Sequence, residues 1–380
     1  MNPDVRALKP YPMAQLQQRK AELRAKGTEL FDFGTGDPIE PTPAFIREAA
    51  AAAIPEISQY PSVRGSDELR EAAAAYLKRR FAVQLDPQRN IIPSAGSKEA
   101  IFHLPLAFLD PGSERNTVIF GAPAYPVYNN GTLFAGGRVH SITLNAATGF
   151  RLDLTALPNE VLRRTCIAWF NYPHNPTGAC VDERYLAEQL ACCREHGIIA
   201  ASDECYTDLW FDDRSPPPPS MLQCGTDGVL VFQSCSKRSG MTGYRSGFVA
   251  GDPTLIAEYL RWRANFGVGS QVFVDAAAAA AWSDDAHPAE RRAAFAAKRS
   301  VICDGFAERG IEVLPSEAGL YVWARVPGDG DADAYAQRCL ERGIVISPGG
   351  FFGDGGEGWF RASLVPTVED CRRALSVWPD

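Results

Sequence analysis

The run Val229-Leu230-Val231-Phe232-Gln233-Ser234-Cys235-Ser236-Lys237-Arg238 passes from apolar, β-branched residues straight into a small polar turn that carries a lysine. Val229–Gln233 reads as a short buried strand. Working outward, the same pattern returns at Val118–Gly121, Ile167–Tyr172, Ile198–Ser202 and Gly247–Ala250. Helical patterns lie between them at Asp67–Phe81, Ser97–Leu109 and Asp182–His196. That alternation predicts an α/β fold, a mostly parallel sheet flanked by helices. The last third changes character. Helical Pro288–Arg309 is followed by strand-like Ile311–Leu314, Leu320–Arg325, Ile344–Ile346 and Trp359–Leu364, then a final helix. This is an α+β pattern.

At 380 residues the chain is longer than one core usually serves, so two domains are expected. The larger covers 41–262. The smaller is built from 1–40 and 263–380, and the N-terminal arm, with its Lys9-Pro10-Tyr11-Pro12 kink, packs there or on a partner subunit. A net charge of -8 argues against a nucleic-acid partner or a basic membrane-facing surface. The first residues lack an apolar core and a cleavage site, and the alanine-rich stretch at Val272–Trp282 is too short to span a bilayer, so a cytoplasmic protein is expected. The ten cysteines form no C-x-x-C pair, and neither they nor the histidines show metal spacing; they read as small buried hydrophobes.

Ligands of open α/β sheets bind beyond the carboxyl ends of the strands. Tyr125 follows Val118–Gly121, Asn175 follows Ile167–Tyr172, Asp203 and Tyr206 follow Ile198–Ser202, and Ser234 with Lys237 follows Val229–Gln233, with Arg245 eight residues past the lysine. Seven lysines exist: Lys9, Lys20, Lys26, Lys78, Lys98, Lys237 and Lys298. Lys78 and Lys298 lie beside arginines on helix faces where solvation is expected, and Lys98 opens a helix. Only Lys237 sits at a strand end with few acidic neighbours. There, burial and Arg238 and Arg245 disfavour the charged amine and leave a nucleophile for a carbonyl.

Asn175-Pro176-Thr177-Gly178, Ser202-Asp203-Glu204-Cys205-Tyr206 and Ser234-x-Ser236-Lys237 followed by Arg245-x-Gly247 resemble the class I/II aminotransferases of pyridoxal-phosphate fold type I. The likeness runs from Gly34-Thr35-Gly36-Asp37-Pro38 to Phe360-Arg361-Ala362-Ser363-Leu364. It implies a large cofactor-binding domain, pyridoxal 5'-phosphate as cofactor, and ping-pong transfer of an amino group between an amino acid and a 2-oxo acid. By the same resemblance, Lys237 carries the cofactor and moves the proton between Cα and the cofactor carbon. Asp203 pairs with the pyridinium nitrogen. Asn175 and Tyr206 bond the ring's phenolate oxygen, and Tyr125 stacks on the ring. Ser97 and Lys98 at a helix N-terminus, with Ser234 and Arg245, take the phosphate. Tyr60 reaches the phosphate of a neighbouring subunit, which implies a homodimer. Arg361 grips the substrate α-carboxylate through its fork, with Gly36 allowing close approach of the chain.

Within the family, Leu8–Pro12, Ser236–Ser239, Arg245–Asp252 and Gly355–Pro366 are similar to N-succinyldiaminopimelate aminotransferases of lysine biosynthesis, which use glutamate and 2-oxoglutarate as the second pair. A distal carboxylate needs a further cation, for which Arg64, Arg238 and Arg263 are candidates. The Gly-rich stretch after Gly349 reads as a loop near the substrate. Alternatives on the same fold are a broad aromatic or aliphatic aminotransferase and a C–S β-lyase. A non-catalytic regulator would carry a basic DNA-binding extension, which is not seen. A nicotinamide dehydrogenase would need G-x-G-x-x-G after a strand and opening a helix, and none follows a strand and opens a helix here, Gly34-x-Gly36 lacking the third glycine; the G-x-S-x-G of a serine hydrolase does not occur.

Overall fold

The structure, a computed structural model, describes residues 12–25, 27–211, 216–267, 269–328 and 330–379. The expected packing of the arm around Lys9 and Tyr11 lies outside these residues. The strands in chain order are β1 (Phe31–Asp32), β2 (Ile91–Ser94), β3 (Thr117–Ala122), β4 (Arg138–Thr143), β5 (Thr165–Asn171), β6 (Ile199–Asp203), β7 (Val229–Ser234), β8 (Gly247–Gly251), β9 (Tyr321–Arg325), β10 (Ile344–Val345), β11 (Ser347–Pro348) and β12 (Trp359–Ser363).

Seven of them form one sheet in the order β2-β8-β7-β6-β5-β3-β4. Within it only β8 runs antiparallel, against both β2 and β7. Strand residues alternate between faces, and the two cores follow that period. Ala168, Phe170, Val229 and Val231 enter one cluster, while Ile167, Trp169, Leu230 and Phe232 enter the other. Each large side chain so enclosed contributes roughly 1.5–3 kcal/mol of burial.

A third cluster surrounds the antiparallel sheet β11-β12-β9 and takes in Phe31 and Phe33 from the N-terminal segment. Tyr206 and Leu209, on the turn that follows β6, also enter this third cluster. The turn after β6 therefore ties the large sheet to the small one.

Most expected elements recur with ends moved by one or two residues, and Asp67–Phe81 is a helix over that whole span. One expected strand does not form. Ile311–Leu314 makes only an isolated bridge, Val313 to Ala324, because Pro315 follows at once and supplies no ladder N–H. Four strands were not anticipated: the two-residue β1 and β11, and β2 and β4, which are the edges of the seven-stranded sheet. Pro93 hides β2, since an edge is where a strand tolerates proline, and exposed Arg138 with half-buried His140 hides β4. Among the described residues no helix is long and apolar enough to cross a membrane.

Candidate active site

The sequence turns each carboxyl strand end into a short polar bend, and the parallel register sets those bends side by side. Asn171 at the end of β5 is in register with Asp203 at the end of β6. The Asn171 amide donates to the Asp203 carbonyl at 3.0 Å, and its Oδ1 accepts from the Asn175 N–H at 2.9 Å. One buried amide thus fixes the placement of two expected site residues. After β7, Cys235–Arg238 forms a single helical turn rather than a loop, started by the Ser234 hydroxyl accepting from the Ser236 N–H at 3.1 Å.

These bends line a cavity of about 460 Å³. Its walls include Gly36, Ser97, Lys98, Tyr125, Asn175, Asp203, Tyr206, Ser234, Lys237, Arg245 and Arg361, which is every residue expected to meet the cofactor or the α-carboxylate except Tyr60. The Lys237 amine donates to the Gly36 carbonyl. Burial pushes its pKa down to about 8, with Arg361 and Arg245 acting the same way and Asp37 opposing them. Burial raises the Asp203 pKa, and its carboxylate accepts from the Tyr128 hydroxyl at 2.7 Å. An enclosed carboxylate without a cation beside it suits a positively charged N–H partner. Burial also holds the Tyr206 phenol well above its usual range, so it stays a donor.

At the opposite wall, Arg361 donates to Asn175 Oδ1 at 3.1 Å and to the Gly34 carbonyl at 3.0 Å. It is only 6% exposed, its Nε has no hydrogen-bond partner, and among the described residues no Asp or Glu pairs with it. A buried guanidinium in that state suits a carboxylate partner. The helix Ser97–Phe108 opens onto the cavity, so its first N–H groups and its dipole would favour an anion bound there. Gly96, at φ +78°, caps that helix, and a Cβ on it would run into the Arg245 guanidinium. Arg245 donates to the Thr242 carbonyl at 2.8 Å and the Ala95 carbonyl at 3.2 Å, across the same mouth. The donor set is therefore an amine, a carboxylate, a phenol, an anion cradle and a carboxylate fork around one cavity, which fits a phosphorylated pyridine aldehyde.

The structure corrects the cation candidates. Arg238 is buried on Asp208 at 2.6 Å, Arg263 is buried against Glu99, and Arg64 donates to the Gln88 carbonyl; none lines the cavity. Arg263 instead braces the helix start, because Glu99 also accepts from the Ala95 N–H at 3.0 Å. Lys298 is not solvated. It is 4% exposed and donates to Glu40 and to the carbonyls of Leu364 and Val365. Tyr60 lies fully exposed, away from the cavity of its own chain.

Sequence reasoning missed Tyr128, Tyr321, Phe351 and Phe352. Tyr128 was signalled only by its place one helical turn after Tyr125. Tyr321 and Arg361 are brought together by the β9–β12 register, in which Arg361 faces Trp323, and no local pattern reports that. Phe351 and Phe352 sit just after Gly349 and line the cavity.

A family profile described as aminotransferase class I and II matches residues 28–377. An LL-diaminopimelate aminotransferase of Desulforudis audaxviator is 38% identical over 368 residues, covering 96% of this chain and 93% of that protein. The crystal structure of an aminotransferase from Neisseria meningitidis superposes with a TM-score of 0.91 at 33% identity over the full length of both chains. A probable N-succinyldiaminopimelate aminotransferase from Thermus thermophilus superposes with a TM-score of 0.89 at 28% identity, covering 96% of this chain and 98% of that one.

Proposed function

The chain belongs to the class I and II aminotransferases, which are pyridoxal-phosphate enzymes, and from that premise we propose that its amino donor is a 2,6-diaminopimelate and its acceptor 2-oxoglutarate. When bound, pyridoxal phosphate supplies the aldehyde that takes the amino group and the ring that accepts the electrons freed at Cα. Lys237 holds that group and then carries the proton from the substrate Cα, a task for which a pKa of about 8 is suited. Asp203 faces the ring nitrogen, Asn175 and Tyr206 the phenolate oxygen, and Tyr125 the ring. Ser97, Lys98 and Ser234, with Arg245 and the helix N–H groups, hold the phosphate. Arg361 takes the α-carboxylate, with Gly36 beside it. Tyr60 serves the site of a second subunit, so the working enzyme is a homodimer.

One observation carries the donor class: the likeness to an LL-diaminopimelate aminotransferase at 38% identity, covering 96% of this chain. The name of the 38%-identical relative supports the unacylated LL-isomer as the first donor to test. The N-succinyl form suggested by the sequence pattern is the second reading, supported by the Thermus structure.

The test is the visible spectrum of the loaded protein, before and after addition of LL-2,6-diaminopimelate, its N-succinyl form, glutamate, and aromatic or aliphatic amino acids. Bleaching by a diaminopimelate and by glutamate is the expected result, and the better diaminopimelate decides between the two readings. Bleaching best with aromatic or aliphatic donors would overturn the donor class. Release of pyruvate and a thiol from cystathionine would make it a C–S lyase.

A further inference from the structure

Tyr321 lies in β9, on a wall of the cavity to which the sequence assigned no residue but Arg361. It is 4% exposed, and its backbone carbonyl accepts from the Ser316 hydroxyl at 2.8 Å. Its ring lies 4.1 Å from the centre of the Arg361 guanidinium. Its hydroxyl oxygen is 3.1 Å from that of Tyr206, with the two rings edge-on at 70°. The same oxygen lies over Gly36, where a Cβ would stand 2.6 Å from it. One side chain thus touches the phenol, the carboxylate fork and the glycine segment.

We propose that Tyr321 is a positioning residue: its ring seats Arg361 for the substrate carboxylate, and its hydroxyl donates to Tyr206 so that the Tyr206 proton points into the cavity. This rests on the functional reading above. Two hydroxyls sharing one hydrogen bond leave one proton uncommitted. If Tyr206 donated to Tyr321, its proton would be spent on the cavity wall; with Tyr321 as donor it stays available, and the bond it makes is strengthened. The flat ring face also holds a planar guanidinium while leaving its edge free for a carboxylate. Gly36 has no Cβ because Tyr321 occupies that space.

The test compares Tyr321→Phe and Tyr321→Leu with the parent holoenzyme. A hydrogen bond donated to the ring's phenolate oxygen favours the unprotonated lysine-bound cofactor, so weakening it raises the pH midpoint of the visible band. Tyr321→Phe should raise that midpoint by about half a unit while leaving KM for the donor within about twofold. Tyr321→Leu should raise the midpoint equally and raise KM for donor and 2-oxoglutarate by about tenfold, since the guanidinium loses its seat. Gly36→Ala should also raise the midpoint, and by less in the Tyr321→Phe background, because the two changes act on one contact. An unchanged midpoint in Tyr321→Phe overturns the role of the hydroxyl, and an unchanged KM in Tyr321→Leu overturns that of the ring. If Tyr321→Leu does not fold, Tyr321→Met takes its place as the ringless variant, with the same KM outcomes deciding the ring, while Tyr321→Phe decides the hydroxyl. A parent protein that binds no cofactor would sink the underlying reading instead.

Discussion

At the scale of single residues, Lys237 is governed by what surrounds it. With a pKa of about 8, roughly one lysine in ten is neutral at pH 7, against fewer than one in a thousand for an ordinary lysine. The sign follows from a depressed cationic acid: the nucleophilic form is scarce below the shifted pKa and dominant above it. Reconstitution of cofactor-free protein with pyridoxal phosphate should therefore speed up about tenfold between pH 7 and pH 9 and level off above that. Stopped-flow absorbance measures it, and a rate still climbing tenfold per unit at pH 9.5 would mean that the lysine is not perturbed. Lys237→Ala should abolish the visible band altogether. Asp203 shows the complementary arrangement. The Tyr128 hydroxyl at 2.7 Å lowers its proton affinity, but burial outweighs that bond and raises the pKa, so a cation arriving with the ligand would favour the ionised carboxylate.

At the scale of elements, Glu40 is held between the long helix Ala286–Glu308 and the segment that carries Gly36. Lys298 donates to Glu40, while the Arg291 guanidinium stands 3.9 Å from the other carboxylate oxygen and donates to the Lys237 carbonyl at 3.2 Å. A buried ion pair broken from one side leaves an uncompensated charge. Lys298→Met should lower unfolding stability by about 3 kcal/mol, read as a shift of the denaturant midpoint at unchanged slope, while the visible band persists. A shift under about 0.5 kcal/mol would mark the pair as a surface-type contact. This is also where sequence reading was weakest. Lys298 sits next to an arginine on a helix and looks solvated; only the C-terminal segment folding back over it supplies Leu364 and Val365. The catalytic strands were legible because Val229–Ser234 and Ile199–Asp203 are buried on both faces and end in polar bends. The edges β2 and β4 were not, since an edge strand can carry Pro93 or Arg138 without penalty. We propose that the two domains divide at the start of helix Ala286–Glu308 rather than at 262, because Val272–Ser283 packs on the helices Ala44–Ala52 and Asp67–Phe81 of the first core, whereas Phe295, Ile302 and Phe306 belong to the other.

At the scale of the whole molecule, Tyr60 is the one expected site residue that its own cavity does not use. It stands in one short segment with Ile54 and Ile57, all three exposed, a combination that a solitary enzyme has no reason to keep in water. The proposed homodimer gives these residues a partner and gives Tyr60 a phosphate to reach. Hybrid dimers decide whether that phosphate is across the interface. Lys237→Ala chains lack the lysine but keep Tyr60; Tyr60→Ala chains keep the lysine and should hold the cofactor about tenfold less tightly, the loss of one hydrogen bond to a charged group. If Tyr60 acts in trans, mixing the two variants creates dimers in which one of the two sites has both Lys237 and a partner Tyr60. Cofactor retention and activity at limiting cofactor should then rise above those of either variant alone. If Tyr60 acts within its own chain, no hybrid contains an intact site, and mixing restores nothing. A chain that stays monomeric at micromolar concentration would remove the trans reading before any hybrid is made.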